Sequence, residues 1–303
     1  MKNTDTFRQF CWLINTLLQA KKMGLERIQQ RWIDENLNER KPLSRTTFYR
    51  LRQAIEDMFG IIIECDSNDN YQYFISNPEV LRDNSTQNWM LQTLTVNNVL
   101  TDSLAIKDRL VLEEIPQGME YLHLIIKAIK CNHQLTMGYR KFSDPNGYTA
   151  TIEPYCLKMF RQRWYLLGKN ITDKKKLQIY ALDRVTSLEK TDHPFKINPH
   201  FHAEEFFKKY FGVFINEDLP TERIVLRAYP PMINYLRTLP LHHSQKEIAT
   251  TNEYSDFQFF VAPTFDFRQA ILKEGSELEV LEPQAFRDEI KQELNKAIKR
   301  YKH

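Results

Sequence analysis

Arg163-Trp164-Tyr165-Leu166-Leu167-Gly168 lies at the centre of the most informative stretch of the chain, residues 134–190. Two runs precede it, Gln134 to Lys141 (QLTMGYRK) and Tyr148 to Phe160 (YTATIEPYCLKMF), and Leu177 to Leu182 (LQIYAL) and Asp183-Arg184-Val185 follow it. Each run is short and rich in β-branched or aromatic residues. Asp-Pro-Asn-Gly or Lys/Asp-rich turns bound them, which is the pattern of a small antiparallel barrel. Five strands closing on one another are therefore expected.

The blocks Met137-x-Tyr139, Ile152-Glu153-Pro154-Tyr155-x-Leu157, Arg163-Trp164-Tyr165-Leu166 and Tyr180-Ala181-Leu182-Asp183-Arg184-Val185 follow one another in that order. Together they resemble the WYL domain, a Sm-like barrel named for its Trp-Tyr-Leu tripeptide. The tripeptide alone would be a weak signal, whereas four blocks with fitting spacing are a strong one. The resemblance implies a bacterial transcriptional regulator, with a winged helix-turn-helix ahead of the barrel and often a further C-terminal extension behind it.

At 303 residues the chain exceeds one typical domain, so two or three domains are expected. Its 42% hydrophobic and 27% charged content is that of a soluble globular protein. No apolar run approaches the ~20 residues that span a bilayer. The N-terminal MKNTDTFRQF lacks a signal-peptide core, so a cytoplasmic location without membrane contact is expected. Cys11, Cys65, Cys131 and Cys156 are isolated from one another within apolar runs, where a free thiol serves as a small hydrophobe. His200-x-His202 and His242-His243 lack a third ligand nearby, so neither a metal nor another cofactor is expected.

The net charge of +3 hides an asymmetry: +4 over residues 1–60, −7 over 61–126, +8 over 127–190 and −2 over 191–303. Two basic blocks separated by an acidic one point to two anion-binding surfaces, because clustered cations attract phosphate by Coulomb steering and counterion release. Lys174-Lys175-Lys176 reads instead as a solvated hairpin turn.

The first basic block has the layout of a DNA-binding head. Phe7, Phe10, Cys11, Ile14, Leu17 and Leu18 recur at helical spacing over residues 6–20, Gly24 breaks the run, and Leu25, Ile28, Trp32 and Ile33 mark a second helix to Leu37. A third helix is expected after Ser44 as N-cap, burying Phe48, Leu51, Ile55 and Met58/Phe59 before Gly60 stops it. Arginine in its first turn opposes the helix dipole, a mild cost that a phosphate neighbour removes. Ile61 to Asp66, a turn at 67–70 and Tyr71 to Ile75 then form a hairpin, the wing. In a helix-turn-helix the last helix enters the major groove. Arg45, Thr46, Thr47, Tyr49 and Arg50 are accordingly the expected base or phosphate readers, with Arg52 and Asn68 or Asn70 as backbone contacts.

Trp89, Met90, Leu94, Val99, Leu100 and Leu104 lie in a helical connector that ends at Ile115-Pro116, and Gln117 to Cys131 is a helix leading into the barrel. Strand alternation puts Trp164 and Leu166 in the barrel interior and Arg163 and Tyr165 outside, where a cation and a ring can hold a phosphate and a stacked base. Tyr139, Tyr155, Lys158, Tyr180 and Arg184 are expected to join them, although Arg184 could instead pair with Asp183 or Glu153. The resemblance implies that this surface senses a negatively charged ligand, a nucleic acid or nucleotide-like molecule, which adjusts the head. One departure is that the family commonly carries an extra Arg before the aromatic of the fourth strand, where this chain reads Leu177-Gln178-Ile179-Tyr180.

Asn198 to Ile215 reads as a helical linker whose Phe201, Phe206, Phe207, Tyr210, Phe211 and Phe214 pack together. From residue 221 the order strand, helix, strand, strand, helix, strand and a long terminal helix is ferredoxin-like and resembles the WYL C-terminal extension. The expected fold class is thus α+β and multidomain: a winged helix-turn-helix (1–78), a helical connector (79–116), a five-stranded Sm-like barrel (117–195), a helical linker (196–220) and a ferredoxin-like βαββαβ domain (221–303).

The function expected is a ligand-responsive transcriptional regulator that binds double-stranded DNA as a homodimer and responds to an anionic effector. The alternative is a single-stranded nucleic-acid-binding module in which the barrel does the main work. An enzyme is not expected: GxSxG, Walker A, HExxH and Gly-rich dinucleotide turns are all missing, and glycine numbers only eight.

Overall fold

A computed structural model describes residues 3–37, 41–82, 87–93, 109, 111, 118–172 and 176–301. The chain divides into two compact units, Met1–Leu112 and Glu113–His303. Within the expected connector, Leu94, Val99, Leu100, Leu104 and Ile115-Pro116 lie outside the described residues, as do Lys174 and Lys175 of the lysine run.

In the first unit, α1 (Asn3–Ala20), β1 (Met23–Gly24), α2 (Leu25–Asp34) and α3 (Arg45–Phe59) are followed by the hairpin β2 (Ile63–Asp66) and β3 (Gln72–Ile75). Phe10, Leu13, Ile14 and Leu17 of α1 meet Ile28 and Trp32 of α2 and Phe48, Leu51, Ile55 and Phe59 of α3 in one core. Two stripe assignments are corrected: Leu18 and Met58 are exposed, and Leu13 and Phe59 take the inward positions. The sheet order is β1-β3-β2, so the two residues at Gly24 form a strand on the hairpin edge rather than a plain break. Two residues are too short to leave a periodic signal. Residues 87–93 are helical (α4), and Leu91 is buried in the same core.

The second unit begins with α5 (Leu122–Cys131) and five strands, β4 (His133–Lys141), β5 (Asp144–Phe160), β6 (Arg163–Asn170), β7 (Leu177–Ala181) and β8 (Val185–Pro194). Their order is β7-β6-β5-β4-β8, so β7 and β8 are opposite edges of one antiparallel sheet. Laid flat, those edges would stand ~19 Å apart, four interstrand spacings. Yet only the single 3-10 turn Leu182–Arg184 joins Ala181 to Val185, and four extended residue steps reach at most ~14 Å. The connection therefore forces the sheet to curl.

Side chains fill the curl. Leu135, Met137, Tyr139, Ile152, Leu166, Tyr180 and Leu182 are buried together, with Ile125 and Ala128 of α5 packed among them and Trp164 partly buried against them. The five expected strands are present, and among the described residues no ladder pairs β7 with β8. Instead, the Tyr139 hydroxyl accepts a hydrogen bond from the Ala181 backbone N–H at 3.1 Å, joining β4 to the far edge. Cys131, expected to be a small hydrophobe, is exposed at the end of α5.

The expected helical linker is mostly irregular, and only α6 (Ala203–Lys208) is helical. Beyond it come β9 (Glu222–Ala228), α7 (Met232–Thr238), β10 (Lys246–Thr250), β11 (Ser255–Val261), α8 (Phe265–Lys273), β12 (Leu278–Glu282) and α9 (Gln284–Arg300). The sheet order is β10-β11-β9-β12, antiparallel throughout. Ile224, Leu226, Phe257, Phe259, Val261 and Val280 face α7, α8 and α9 across a core, and Phe160 at the tip of β5 packs against the same core.

Replacing Tyr139 with Phe leaves the buried Ala181 N–H without its acceptor. The urea midpoint is expected to fall by the equivalent of roughly 1–2 kcal/mol at unchanged slope, and an unshifted midpoint would show that the phenol does not hold the far edge.

Candidate nucleic-acid interface

Two surfaces carry the residues singled out in the sequence. On the first unit, the Ser44 side chain caps α3 by accepting from Thr47 N–H at 3.0 Å, and the two hydroxyls lie 2.8 Å apart. Thr47 therefore completes the cap and is partly buried. Arg45, Thr46, Tyr49 and Arg50 are exposed and Arg52 is partly exposed. Arg45, Arg50 and Arg52 make no ion pair among the described residues, so the N-terminal half of α3 presents uncompensated positive charge. The Tyr49 hydroxyl lies 3.2 Å from that of Tyr73 on β3, and burial followed by that hydrogen bond raises the Tyr73 pKa. α3 is thereby pinned to the hairpin.

Asn68 and Asn70 are exposed at the hairpin tip, Asn70 with a positive φ of 50°. Asp66 and Asp69 flank them, and Lys22 binds both carboxylates at 2.8 and 3.0 Å. The hydrogen bond from Lys22 holds the Asp66 carboxyl below its ordinary range. This lysine offsets two acids that would otherwise repel a phosphate backbone at the tip.

On the second unit, Arg163, Tyr165 and Arg184 come together in a cleft of about 550 Å³. Phe160, Arg161, Leu177, Gln178 and Ile179 of the barrel line it, and Val213, Phe214, Ile215 and Asp266 form its other wall. Three arginines stand against one lining aspartate. Arg163 lies 3.5 Å from Asp183, so it is Arg163 rather than Arg184 that has an acidic neighbour. Arg184 instead lays its guanidinium 4.1 Å over the exposed Phe142 ring. Its Nε is buried and has no hydrogen-bond partner among the described residues. Burial, first among the causes, raises the Tyr165 pKa; Arg163 and Arg184 oppose the rise, while Asp183 and Asp266 add to it. The ring is thus surrounded by the charges of both walls.

Of the remaining expected ligand residues, Tyr139 lines the cleft, whereas Tyr155, Lys158 and Tyr180 do not. Tyr180 is buried in the barrel core with its hydroxyl donating to Gln178 Oε1 at 3.0 Å. Tyr139 borders the cleft, but its hydroxyl is committed to Ala181. Tyr155 stacks on Phe195 and meets Phe201 edge-on, away from the cleft. Lys158 lies behind the far wall: it donates to the Gly212 carbonyl at 2.5 Å and sits 3.9 Å over the Phe207 ring. Alternation assigned these side chains to a face, but it could not show that the linker would cover part of that face.

The cleft residues absent from the expected set include Phe160, Arg161, Gln178, Phe214 and Asp266. Arg161 and Gln162 form the β5–β6 turn with φ of 48° and 63°, although neither is the Gly or Asn that such a turn normally announces. Phe214 was assigned to packing, yet it is exposed and tilts against Phe265 at 4.9 Å. The wall it belongs to is held by Asp266 Oδ2, which accepts from Val213 N–H at 2.6 Å and Phe214 N–H at 2.8 Å. Gly212 is required beside it, because at φ +85° a Cβ would collide with that oxygen. Among the described residues no group of three or more His, Cys, Asp or Glu could hold a metal ion, and no helix is long and apolar enough to cross a membrane.

Residues 120–190 match the family profile of the WYL domain, and residues 220–298 match that of the WCX domain. The chain carries a WYL domain followed by a WCX domain. The curved sheet with its Arg163, Tyr165 and Arg184 belongs to the WYL domain, and Asp266 is contributed by the WCX domain. Among solved structures, proteasome accessory factor B/C (PafBC) of Arthrobacter aurescens is 16% identical at a TM-score of 0.38, over 95% of this chain and 46% of that one. A CRISPR Cas-related protein is 12% identical at a TM-score of 0.39, over 86% of this chain and 65% of that one. The chain thus spans about half to two thirds of the length of these structures, and at such values they decide nothing about its function. No curated protein compared with the chain matches it.

Lys158 gives the wall a pH signature. Burial lowers its pKa from 10.5 to about 8, with Asp266 pulling the other way. Above pH 8 the unfolded chain therefore holds this proton more tightly than the native protein, so stability rises with pH until the unfolded lysine also titrates. The stability difference between the wild type and Lys158→Met is expected to move in favour of the wild type from pH 8 towards 10 in urea titrations. A flat difference would contradict this placement of the ammonium.

Proposed function

We propose that the protein is a DNA-binding transcriptional regulator. Its first unit is a winged helix-turn-helix, and its WYL barrel, Sm-like in form and backed by a ferredoxin-like WCX domain, binds a nucleic-acid or nucleotide-like anion. The observation that carries this reading is the meeting of Arg161, Arg163 and Arg184 around Tyr165 in one open cleft, with a buried Arg184 N–H unsatisfied. Guanidinium groups hold phosphate oxygens, and a partly exposed ring offers a stacking platform that every base fits. On the first unit, α3 offers Arg45, Thr46, Tyr49 and Arg50 to a major groove without competing acids in its first turn.

A ligand in the cleft changes DNA affinity only insofar as it binds two arrangements of the chain unequally. A homodimer reading two half-sites is the form in which such a change would alter operator recognition. The second reading, a single-strand-binding module, draws support from the exposed Glu64 on the hairpin, which has no ion pair among the described residues and weakens the attraction for duplex phosphates.

The two readings separate in one experiment on the full chain. Fluorescence anisotropy with a duplex and with a short single-stranded oligonucleotide is expected to show Arg50→Ala lowering duplex affinity while sparing the single strand. Arg163→Ala and Arg184→Ala are expected to do the reverse, each reducing the single-strand salt slope by roughly 0.7 for every phosphate that the removed guanidinium had neutralised. Absence of duplex binding at low salt would remove the regulator reading, and single-strand binding indifferent to both cleft arginines would remove the cleft.

A further inference from the structure

The cleft contains one feature that a simple phosphate site does not need, a carboxylate. We infer that Asp266 is a specificity-determining residue, whose free oxygen accepts a hydrogen bond from the exocyclic amino group of a nucleobase seated on Tyr165. The inference rests on the reading of the cleft as a site for nucleotide-like ligands.

The geometry of Asp266 fixes what it can offer. Oδ2 is occupied by the Val213 and Phe214 N–H groups at 2.6 and 2.8 Å. Oδ1 has no hydrogen-bond partner among the described residues, and the side chain lines the cleft. Two backbone donors on one oxygen lock the carboxylate plane. A carboxylate is acceptor only. Facing a bare phosphate it repels; facing an amino group it forms a charge-assisted hydrogen bond.

Gln178 supplies the complementary pole. Its Oε1 is occupied by the Tyr180 hydroxyl at 3.0 Å, so its amide nitrogen, which has no partner among the described residues, is the end left to donate. The cleft thus combines cations for a phosphate, a ring for stacking, a fixed donor and a fixed acceptor. A cytosine, adenine or guanine brings an amino group to the acceptor. Thymine brings an N3–H flanked by two carbonyl oxygens, whose lone pairs meet the carboxylate unfavourably.

Asp266→Asn tests this with little disturbance. The two backbone donors select the amide oxygen, so the asparagine keeps the wall and turns its NH₂ towards the cleft. The polarity of the free position reverses while its shape stays. The probes are single-stranded homopolymers of deoxycytidylate and thymidylate, equal in length, titrated against the full chain. The wild type is expected to bind the cytosine polymer more tightly by roughly tenfold, the worth of one charged hydrogen bond. In Asp266→Asn the preference is expected to vanish or invert, with thymidylate binding tightened.

A wild-type ratio near one overturns the inference without recourse to any variant. So does a tenfold ratio that survives in Asp266→Asn, which would leave Asp266 a purely structural clamp. Arg163→Ala separates the two levels of the reading: if both polymers bind it as they bind the wild type, the cleft itself is not the site. If neither polymer binds the wild type, both readings fail.

Discussion

The short passage from Ala181 to Val185 is the constraint on which the second unit depends. Two strands that are neighbours in sequence lie at opposite edges of a five-stranded sheet, and one 3-10 turn must bridge them. Curling is the only way to meet that distance, and the Tyr139 phenol takes the place of the missing ladder at the seam. The same turn carries Asp183 and Arg184, so closing the sheet also delivers a guanidinium to its mouth beside Arg163 and Tyr165. Architecture and candidate site are consequences of one short connection.

A barrel mouth alone would be an open ledge. It becomes a cleft because the segment 212–215 is drawn across it and held from both sides. Asp266 binds the Val213 and Phe214 N–H groups, while Lys158 donates to the Gly212 carbonyl from the barrel. Burying that ammonium costs free energy, as its lowered pKa shows, and the carbonyl and the Phe207 ring offset only part of the cost. The WCX domain therefore takes part in the WYL cleft through Asp266, which holds the wall of residues 213–214 and is the one acid in the lining.

Most strands of the second unit were legible in the sequence as short β-branched or aromatic runs bounded by turn residues, but the fifth barrel strand was placed at Asp183-Arg184-Val185, where Leu182–Arg184 is a 3-10 turn and the strand runs Val185–Pro194. The terminal domain was read as β, α, β, β, α, β and a final helix, and those elements appear in that order. Arg163, Tyr165 and Arg184, which the structure brings into one cleft, were singled out from the strand alternation around the Trp-Tyr-Leu block and from the resemblance that names it. What escaped was tertiary. Nothing local in Tyr180 or Tyr139 announces that the curl turns them inward, and nothing in Lys158 or Tyr155 announces that the linker will cover them. Asp266 lies eighty-two residues beyond Arg184 in an unremarked helix start, and no pattern in one sequence ties it to the barrel. Arg161 was hidden because a turn with two positive φ values carries no glycine or asparagine. On the first unit, α3 and its cap were plain, whereas the pairing of Lys22 with Asp66 and Asp69 required the fold.

The claim on which the function turns is that the arginine-lined mouth of the WYL barrel is where a nucleic-acid strand lodges. Photo-crosslinking of a halouracil-bearing single-stranded oligonucleotide to the full chain, followed by peptide mapping, tests it most directly. Adducts are expected in residues 160–165 and on Phe214, and they should disappear under competition by unlabelled strand. Adducts confined to residues 44–73, with the barrel peptides unmodified, would contradict it.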